Sequence, residues 1–256
     1  MIPEAYKMLV GRQESYWWHR ARRFLASSLL RKYGLKKRCR WIDLGCGPGG
    51  NLGLMKGFDP SLIIGGDISP IALNEAKSHR NGAILVRIDI NAPLPFSNNA
   101  FDAVTIFNVL YHSWVTDERS VMEEAFRILA PGGLLLITEP AFPVLFREMD
   151  EIAMGNKRYR IKEITDLSRA SGFSVIFESY FTSFGFPLLL VNKFLQKITG
   201  NEEKKEFSPA VDMKSFNSSV NQLFFHAGKA EARLLLKGLT MPFGTTLITV
   251  LRKPKS

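Results

Sequence analysis

Cysteine is nearly absent from this chain: Cys39 and Cys46 are the only two among 256 residues. Two thiols cannot build a disulfide framework or a four-cysteine zinc site. So little cysteine fits a reducing compartment, the cytoplasm, better than secretion, and no metal is expected. Long apolar runs are missing too. Nothing reaches the roughly 18 uninterrupted apolar residues of a membrane-spanning helix, and the nearest stretch, 184–195, is broken by Asn192 and Lys193. The first residues carry Glu4 and Lys7 where a signal peptide needs an apolar core. Acidic residues are in deficit, 24 against 34 Lys and Arg, for a net charge of +10. That balance suits phosphates, nucleic acid or anionic lipid without choosing among them, and solvated surface cations account for it equally well. The remainder is ordinary, 46% hydrophobic and 23% charged. This excludes wholesale disorder, collagen and coiled coil and leaves enough chain for one or two domains with a real core.

The first periodic segment, 14–33, reads as an amphipathic helix. Trp17, Ala21, Phe24, Leu25 and Leu29 form its apolar stripe, Gly34 ends it, and Arg20, Arg22, Arg23 and Arg31 occupy the other face. Strands then alternate with helices. Strands are expected at 40–44, 61–66, 83–88, 101–107, 134–138 and 173–178. Helices are expected at 70–79, 119–129 and 161–170, with Ser69 as a cap for the first and Pro131-Gly132-Gly133 as a stop for the second. This alternation predicts a parallel sheet covered by helices on both faces. Residues 180–240 break the rhythm: they are rich in Phe and Leu, with helices expected at 188–198 and 220–236. A last strand is expected at 246–251.

The densest chemical signal is Trp41-Ile42-Asp43-Leu44-Gly45-Cys46-Gly47-Pro48-Gly49-Gly50-Asn51, a strand running into a glycine-rich turn that should open a helix. Glycines allow positive φ and let a ligand approach the backbone. Gly45, Gly47 and Gly50 satisfy the dinucleotide fingerprint G-x-G-x-x-G, but Asp43 just before them would repel a pyrophosphate and attract an ammonium. Asp67, at the end of the second strand, suits ribose hydroxyls. Asp89, at the end of the third, suits an exocyclic amine. Three carboxylates at successive strand ends fit a cationic nucleoside carrying an amino acid better than a dinucleotide.

These blocks resemble the class I S-adenosylmethionine-dependent methyltransferases. The resemblance rests on the glycine motif from Asp43 to Gly49, Gly66-Asp67-Ile68-Ser69, Asp89-Ile90 with Leu94-Pro95-Phe96, Phe101-Asp102-Ala103-Val104 with Asn108-Val109-Leu110-Tyr111-His112, and Arg127-Ile128-Leu129-Ala130-Pro131-Gly132-Gly133. Tyr16-Trp17-Trp18-His19-Arg20-Ala21-Arg22-Arg23 is similar to the opening of one subgroup, with His19 where Phe is usual. The resemblance implies a Rossmann-like, doubly wound α/β fold. Its seven strands would be mostly parallel with an antiparallel last strand, preceded by a helical cap and interrupted by a helical insert. The boundaries would be a cap at 1–38, a core at 39–179, an insert at 180–241 acting as a substrate lid, and a closing strand at 242–256.

The implied cofactor is S-adenosyl-L-methionine. Gly45, Cys46 and Gly47 would lie along its methionine part, with the ammonium held by Asp43 and the backbone carbonyl of Asn108. Asp67 would take the ribose and Ile68 the adenine face, while Asp89 and the Ile90 N–H would meet the adenine edge. Arg20 or Arg23 would pair the carboxylate. His112 is the leading general-base candidate and Glu139, expected just after strand five, the second; each is otherwise a packed or solvated side chain. The acceptor would be a small molecule, a glycan or a lipid-linked molecule. The insert would pack plainly into the core, line an apolar acceptor pocket, rest on a membrane with Lys193 and Lys197, or form a dimer face. Glu202, Glu203 and Glu206 around Lys204 and Lys205 weaken the membrane reading. An RNA methyltransferase is the competing class, suggested by the charge; it would show salt-dependent nucleic-acid affinity. A non-catalytic module would bind the cofactor without turnover, and a nicotinamide enzyme would bind NADH.

Overall fold

The computed structural model describes residues 13, 15–79, 82–199 and 218–255. Seven strands form one sheet: β1 (Arg40–Leu44), β2 (Leu62–Asp67), β3 (Ile84–Arg87), β4 (Phe101–Phe107), β5 (Leu129–Pro140), β6 (Ser174–Phe181) and β7 (Thr246–Arg252). Their order is β3-β2-β1-β4-β5-β7-β6, a Rossmann-like arrangement in which β7 runs antiparallel between β5 and β6. The helices among the described residues are α1 (Trp17–Lys32), α2 (Leu52–Met55), α3 (Pro70–His79), α4 (Glu118–Ile128), α5 (Glu148–Ile152), α6 (Ile161–Ala170), α7 (Gly185–Thr199) and α8 (Ser218–Leu236).

The central strands read as continuous apolar runs because both faces are covered. Ile42 and Leu44 of β1 join a core with Val104, Ile106, Val121, Ile128 and Ile164, on the side of α4 and α6. Trp41 points the other way, into a core with Leu25, Leu29, Ala103, Leu136, Ile248 and Leu235. Thus α1 and α8, from the segments expected as an N-terminal cap and an insert, share an apolar core with the sheet. The two helices pack on each other, and Gly228 permits it: a Cβ there would lie 2.9 Å from that of Ala21. Arg40 pins the amino ends of β1 and β4, its Nη2 donating to Asp102 Oδ1 at 2.9 Å while its backbone N–H donates to Oδ2 at 2.8 Å.

The chain runs outward from β1 through β2 to β3, then returns beside β1 as β4. This reversal opens a crevice at the carboxyl ends of β1 and β4, where open α/β sheets take ligands. Several element boundaries differ from expectation. The glycine turn opens only the four residues of α2 and a 3-10 turn, Lys56–Phe58, because Gly53 and Gly57 are poor helix formers. α4 stops at Ile128, and β5 begins at Leu129 and passes through Pro131-Gly132-Gly133 with a register shift opposite Phe101 and Ala103. β5 also extends to Pro140, so Glu139 is a strand residue. No described helix is long and apolar enough to cross a membrane.

Candidate active site

Strand alternation puts Asp43 on the same face as Trp41, beneath α1. Its carboxylate is fully buried. The Thr105 hydroxyl donates to Oδ1 at 2.7 Å, and the Trp41 indole donates to Thr105 Oγ1 at 3.1 Å. Oδ2 is buried without a partner. Burial pushes the carboxyl up to about 7, against the opposing pull of Thr105 and Arg22 and with help from Asp67. A buried carboxylate oxygen with no donor is costly unless a ligand supplies one.

The glycine turn is tied to β2. The backbone N–H groups of Gly45 and Cys46 donate to the Gly66 carbonyl at 2.8 and 2.9 Å. The Gly47 N–H donates to Asp67 Oδ2 and the Ser69 N–H to Oδ1, both at 2.8 Å. Asp67, raised by burial, therefore shapes the turn while keeping lone pairs for further donors. Two of the glycines serve different ends. A Cβ on Gly45 (φ +75°) would strike Val109 Cγ2 at 2.4 Å, whereas one on Gly47 (φ +53°) would meet nothing within 4 Å. Gly45 is needed for packing, and Gly47 leaves open space beside the turn. Cys46 contributes backbone only: its thiol is buried and pushed up by burial, Asp43 and Asp67, so it is a poor nucleophile.

The cationic wall is Arg22, which was expected with the other arginines on the polar face of the helix. It is 4% exposed. Nη1 donates to Asn108 Oδ1 at 2.7 Å and Nη2 to Asn51 Oδ1 at 3.2 Å, while the guanidinium lies over the rings of Trp18 and Phe107. Its Nε is buried without a partner. Burial and Arg23 lower its pKa to about 9, with Asp43 and Glu139 acting in the other direction, so it remains a cation at neutral pH. The two arginines expected here are placed differently. Arg20 turns to α8, with Nη1 3.5 Å from Gln222 Oε1 and its guanidinium over Phe225. Arg23 donates to the carbonyls of Gln13 and Gly50 and so braces the turn. Arg22 shares a helix face with Leu25, Ala26 and Leu29 at spacings of three, four and seven, and that phase was the available signal.

The segment after β4 closes the crevice. Asn108 takes φ +57°, its N–H donates to the Thr138 carbonyl at 2.7 Å, and its side-chain oxygen also accepts from the Thr138 hydroxyl at 3.0 Å. Glu139 is not at the pocket mouth as expected. It is fully buried, with Oε1 accepting from the N–H groups of Val109 and Leu110 at 3.0 and 2.9 Å and Oε2 from Tyr111 at 3.3 Å. Burial raises its pKa to about 8, against those three donors. It positions the loop, because a carboxylate so engaged is poorly placed to collect a substrate proton.

His112 lies against the 153–155 segment. It pairs with Gly155 in an isolated bridge, its ring neighbours Tyr111 and Trp114, and the backbone of Ala153 and Met154 hydrogen-bonds the imidazole. Nδ1 is buried without a partner, and burial lowers the pKa to about 4. His19 is half-buried one turn before Arg22, edge-on to Trp18, and held neutral by burial and by Arg22 and Arg23.

The remaining expected residues rim the crevice or support it. Asp89 lies two residues beyond β3, exposed, with Oδ1 accepting from the backbone and side-chain N–H of Asn91, both at 2.9 Å. Ile68 is half-buried, and the Ile90 side chain belongs to the core.

Residues 42–137 match the family described as a methyltransferase domain. The chain is 34% identical over 116 residues to the trans-aconitate 2-methyltransferase of Paracidovorax citrulli, covering 45% of this chain and 44% of that protein. It is 32% identical over 145 residues to the ubiquinone/menaquinone biosynthesis C-methyltransferase UbiE of Desulfotalea psychrophila, covering 55% of each. The chain thus spans about half the length of these curated relatives. The solved structure of Haemonchus contortus phosphoethanolamine N-methyltransferase 2 with S-adenosyl-L-methionine shares the fold, with a TM-score of 0.56 at 16% identity, over 97% of this chain and 60% of that one.

Proposed function

We propose that this chain, whose residues 42–137 match the methyltransferase-domain family, is a class I S-adenosylmethionine-dependent methyltransferase that transfers a methyl group to a small-molecule or lipid-linked acceptor. One observation carries the reading. Asp43 carries a buried, unpartnered carboxylate oxygen, the buried guanidinium of Arg22 acts on it as a nearby cation, and the glycine turn that follows Asp43 has open space beside Gly47. Opposite charges so arranged fit the ammonium and carboxylate of an amino-acid zwitterion, and they fit a pyrophosphate poorly.

The family's cofactor supplies a methyl group on a sulfonium, a good leaving group displaced in line by the acceptor. In this reading Asp43 holds the ammonium, together with the Asn108 carbonyl, and Arg22 holds the carboxylate in place of Arg20 or Arg23. Asp67 takes the ribose hydroxyls. Ile68, Asp89 and the Ile90 N–H border the adenine. Gly45, Cys46 and Gly47 present backbone. Glu139 and Thr138 fix the loop that carries Asn108. Transfer then rests on orientation, which contributes roughly 7–11 kcal/mol in well-aligned reactions. His112, at about 4, is a weak base at neutral pH, so the acceptor atom arrives with a free lone pair or loses its proton to water.

Incubating the protein with methyl-tritiated S-adenosylmethionine and separated cell fractions tests the acceptor class. Label in the small-molecule or lipid fraction supports the reading. Label in RNA would favour a nucleic-acid methyltransferase, and cofactor binding without label in any fraction would favour a non-catalytic module.

A further inference from the structure

Among the described residues, α7 and the start of α8 leave an apolar surface uncovered. α7 anchors itself through Phe186, whose ring is 4.9 Å from Phe142 and 5.3 Å from Phe243, and it packs on residues 143–145. Beyond that anchor, Leu188, Val191 and Phe194 are 62, 57 and 64% exposed. They recur every third residue and so share one side of the helix. On α8 Leu223 is 66% exposed, and Phe184 stacked on Phe224 at 6.0 Å joins the start of α7 to α8. Val144 and Phe243, also exposed, continue the patch toward the sheet. A single exposed apolar side chain needs no explanation, but a group of this extent marks a contact surface.

The charge pattern names the contact. Residues 184–199 and 218–230 contain no Asp or Glu; α7 carries Lys193 and Lys197, while Lys229 of α8 lies over the rings of Phe24 and Phe225, toward α1. The first carboxylate after them, Glu231, is buried and accepts the Ser183 N–H at 3.0 Å. Glu202, Glu203 and Glu206, which made the local charge nearly cancel in the sequence, lie outside the described residues, as do Lys204 and Lys205. α7 is 15 residues long, too short to span a bilayer. An apolar helix with cations and no carboxylates is suited to lie in a lipid interface carrying negative charge.

We propose that α7, with Leu223 of α8, docks this protein on an anionic lipid surface, so that an apolar acceptor leaves the bilayer along Phe243, Phe186 and Phe142. The aromatic series leads from the exposed patch to Phe142, just after β5, whose ring stacks on Tyr180 of β6 at 4.5 Å. The acceptor half of this statement rests on the methyl-transfer reading, and the docking half does not.

Co-sedimentation of the full chain tests it, using vesicles of phosphatidylcholine alone or mixed with phosphatidylglycerol. The test variants are Leu188→Glu with Val191→Glu, and Leu223→Glu; all three positions are exposed and none belongs to the crevice. The wild type is expected to sediment with the phosphatidylglycerol vesicles, at least about tenfold more tightly than with neutral ones, and the double variant to lose about tenfold or more. No sedimentation with anionic vesicles, or equal sedimentation of wild type and variants, overturns the proposal. A dimer in light scattering that the double variant dissociates also overturns it, because the face then serves a second copy. Titration of the same preparations with S-adenosylhomocysteine separates the two claims. Binding retained without vesicle affinity sinks the docking alone, and vesicle affinity without nucleoside binding sinks the methyl-transfer reading alone.

Discussion

Arg22 Nη1 donates to Asn108 Oδ1 at 2.7 Å, joining the N-terminal helix to the loop after β4. The contact fixes a cation that was expected on the solvent side of the helix. If Arg22 holds the cofactor carboxylate, Arg22→Ala removes a charge-assisted contact worth about 1.5–3 kcal/mol. S-adenosylhomocysteine binding should weaken about 10- to 100-fold. Arg20→Ala, which removes a contact to α8, should leave calorimetric affinity within about twofold, as surface changes do.

Asp43 makes binding pH-dependent. Burial holds its carboxyl near 7 in the free protein, and an ammonium beside it favours the anion. Binding below pH 7 therefore expels a proton, and affinity should fall by up to about tenfold per pH unit there. Titrations at pH 6 in two buffers of different ionisation enthalpy should reveal the released proton. Asp43→Asn should bind weakly and show no such release.

The same burial sets a stability trend. Asp43 and Glu139 have folded-state pKa values raised to about 7 and about 8, so the folded chain holds protons that the unfolded chain has given up. Their contribution is fully present below the ordinary carboxyl range and is lost as pH climbs through 7 and then 8. The melting temperature of the free protein should drop between pH 6 and pH 8.5, and by less in Asp43→Asn. An unchanged or rising melting temperature would mean that both groups are ionised throughout.

Glu139→Gln separates positioning from proton transfer. Above about pH 8, where the carboxyl is ionised, the amide keeps one acceptor oxygen for three N–H groups and sets its own N–H₂ against the rest. A buried donor left unsatisfied costs about 1–3 kcal/mol, or about 2–12 °C in melting temperature for a chain of this size. The pH profile of methyl transfer should keep its shape. A lost limb in that profile with unchanged stability would restore Glu139 as a base.

Gly45→Ala and Gly47→Ala should fail differently. The first drives a Cβ into Val109 and should yield little folded protein. The second faces open space at positive φ, where strain costs about 1–2 kcal/mol; it should fold and lose nucleoside binding. Circular dichroism with calorimetry on both variants checks the contrast.

The sheet was legible in the sequence because buried parallel strands are short apolar runs between turn residues, and the glycine turn with Asp43 and Asp67 marks its own position. Other features depend on what covers a residue. Arg22 differs from Arg20 and Arg23 only by helix phase, and its burial follows from α1 lying on Asn51 and Asn108. Glu139 looked like a loop carboxylate because Pro131-Gly132-Gly133 suggested a later start for β5; pairing with β7 carries that strand through to Pro140. His112 has the residue type of a base, but its burial, which no local pattern in the sequence shows, lowers its pKa against the opposing pull of the Ala153 and Met154 backbone.

The most direct test is calorimetric titration of the wild type, Arg22→Ala and Asp67→Ala with S-adenosylhomocysteine, alongside NADH. The expected result is saturable binding of the sulfur nucleoside at one site, none of NADH, and at least about tenfold weaker binding in both variants. Binding of NADH in its place, or nucleoside binding undiminished in Arg22→Ala, would contradict the zwitterion site formed by Asp43 and Arg22.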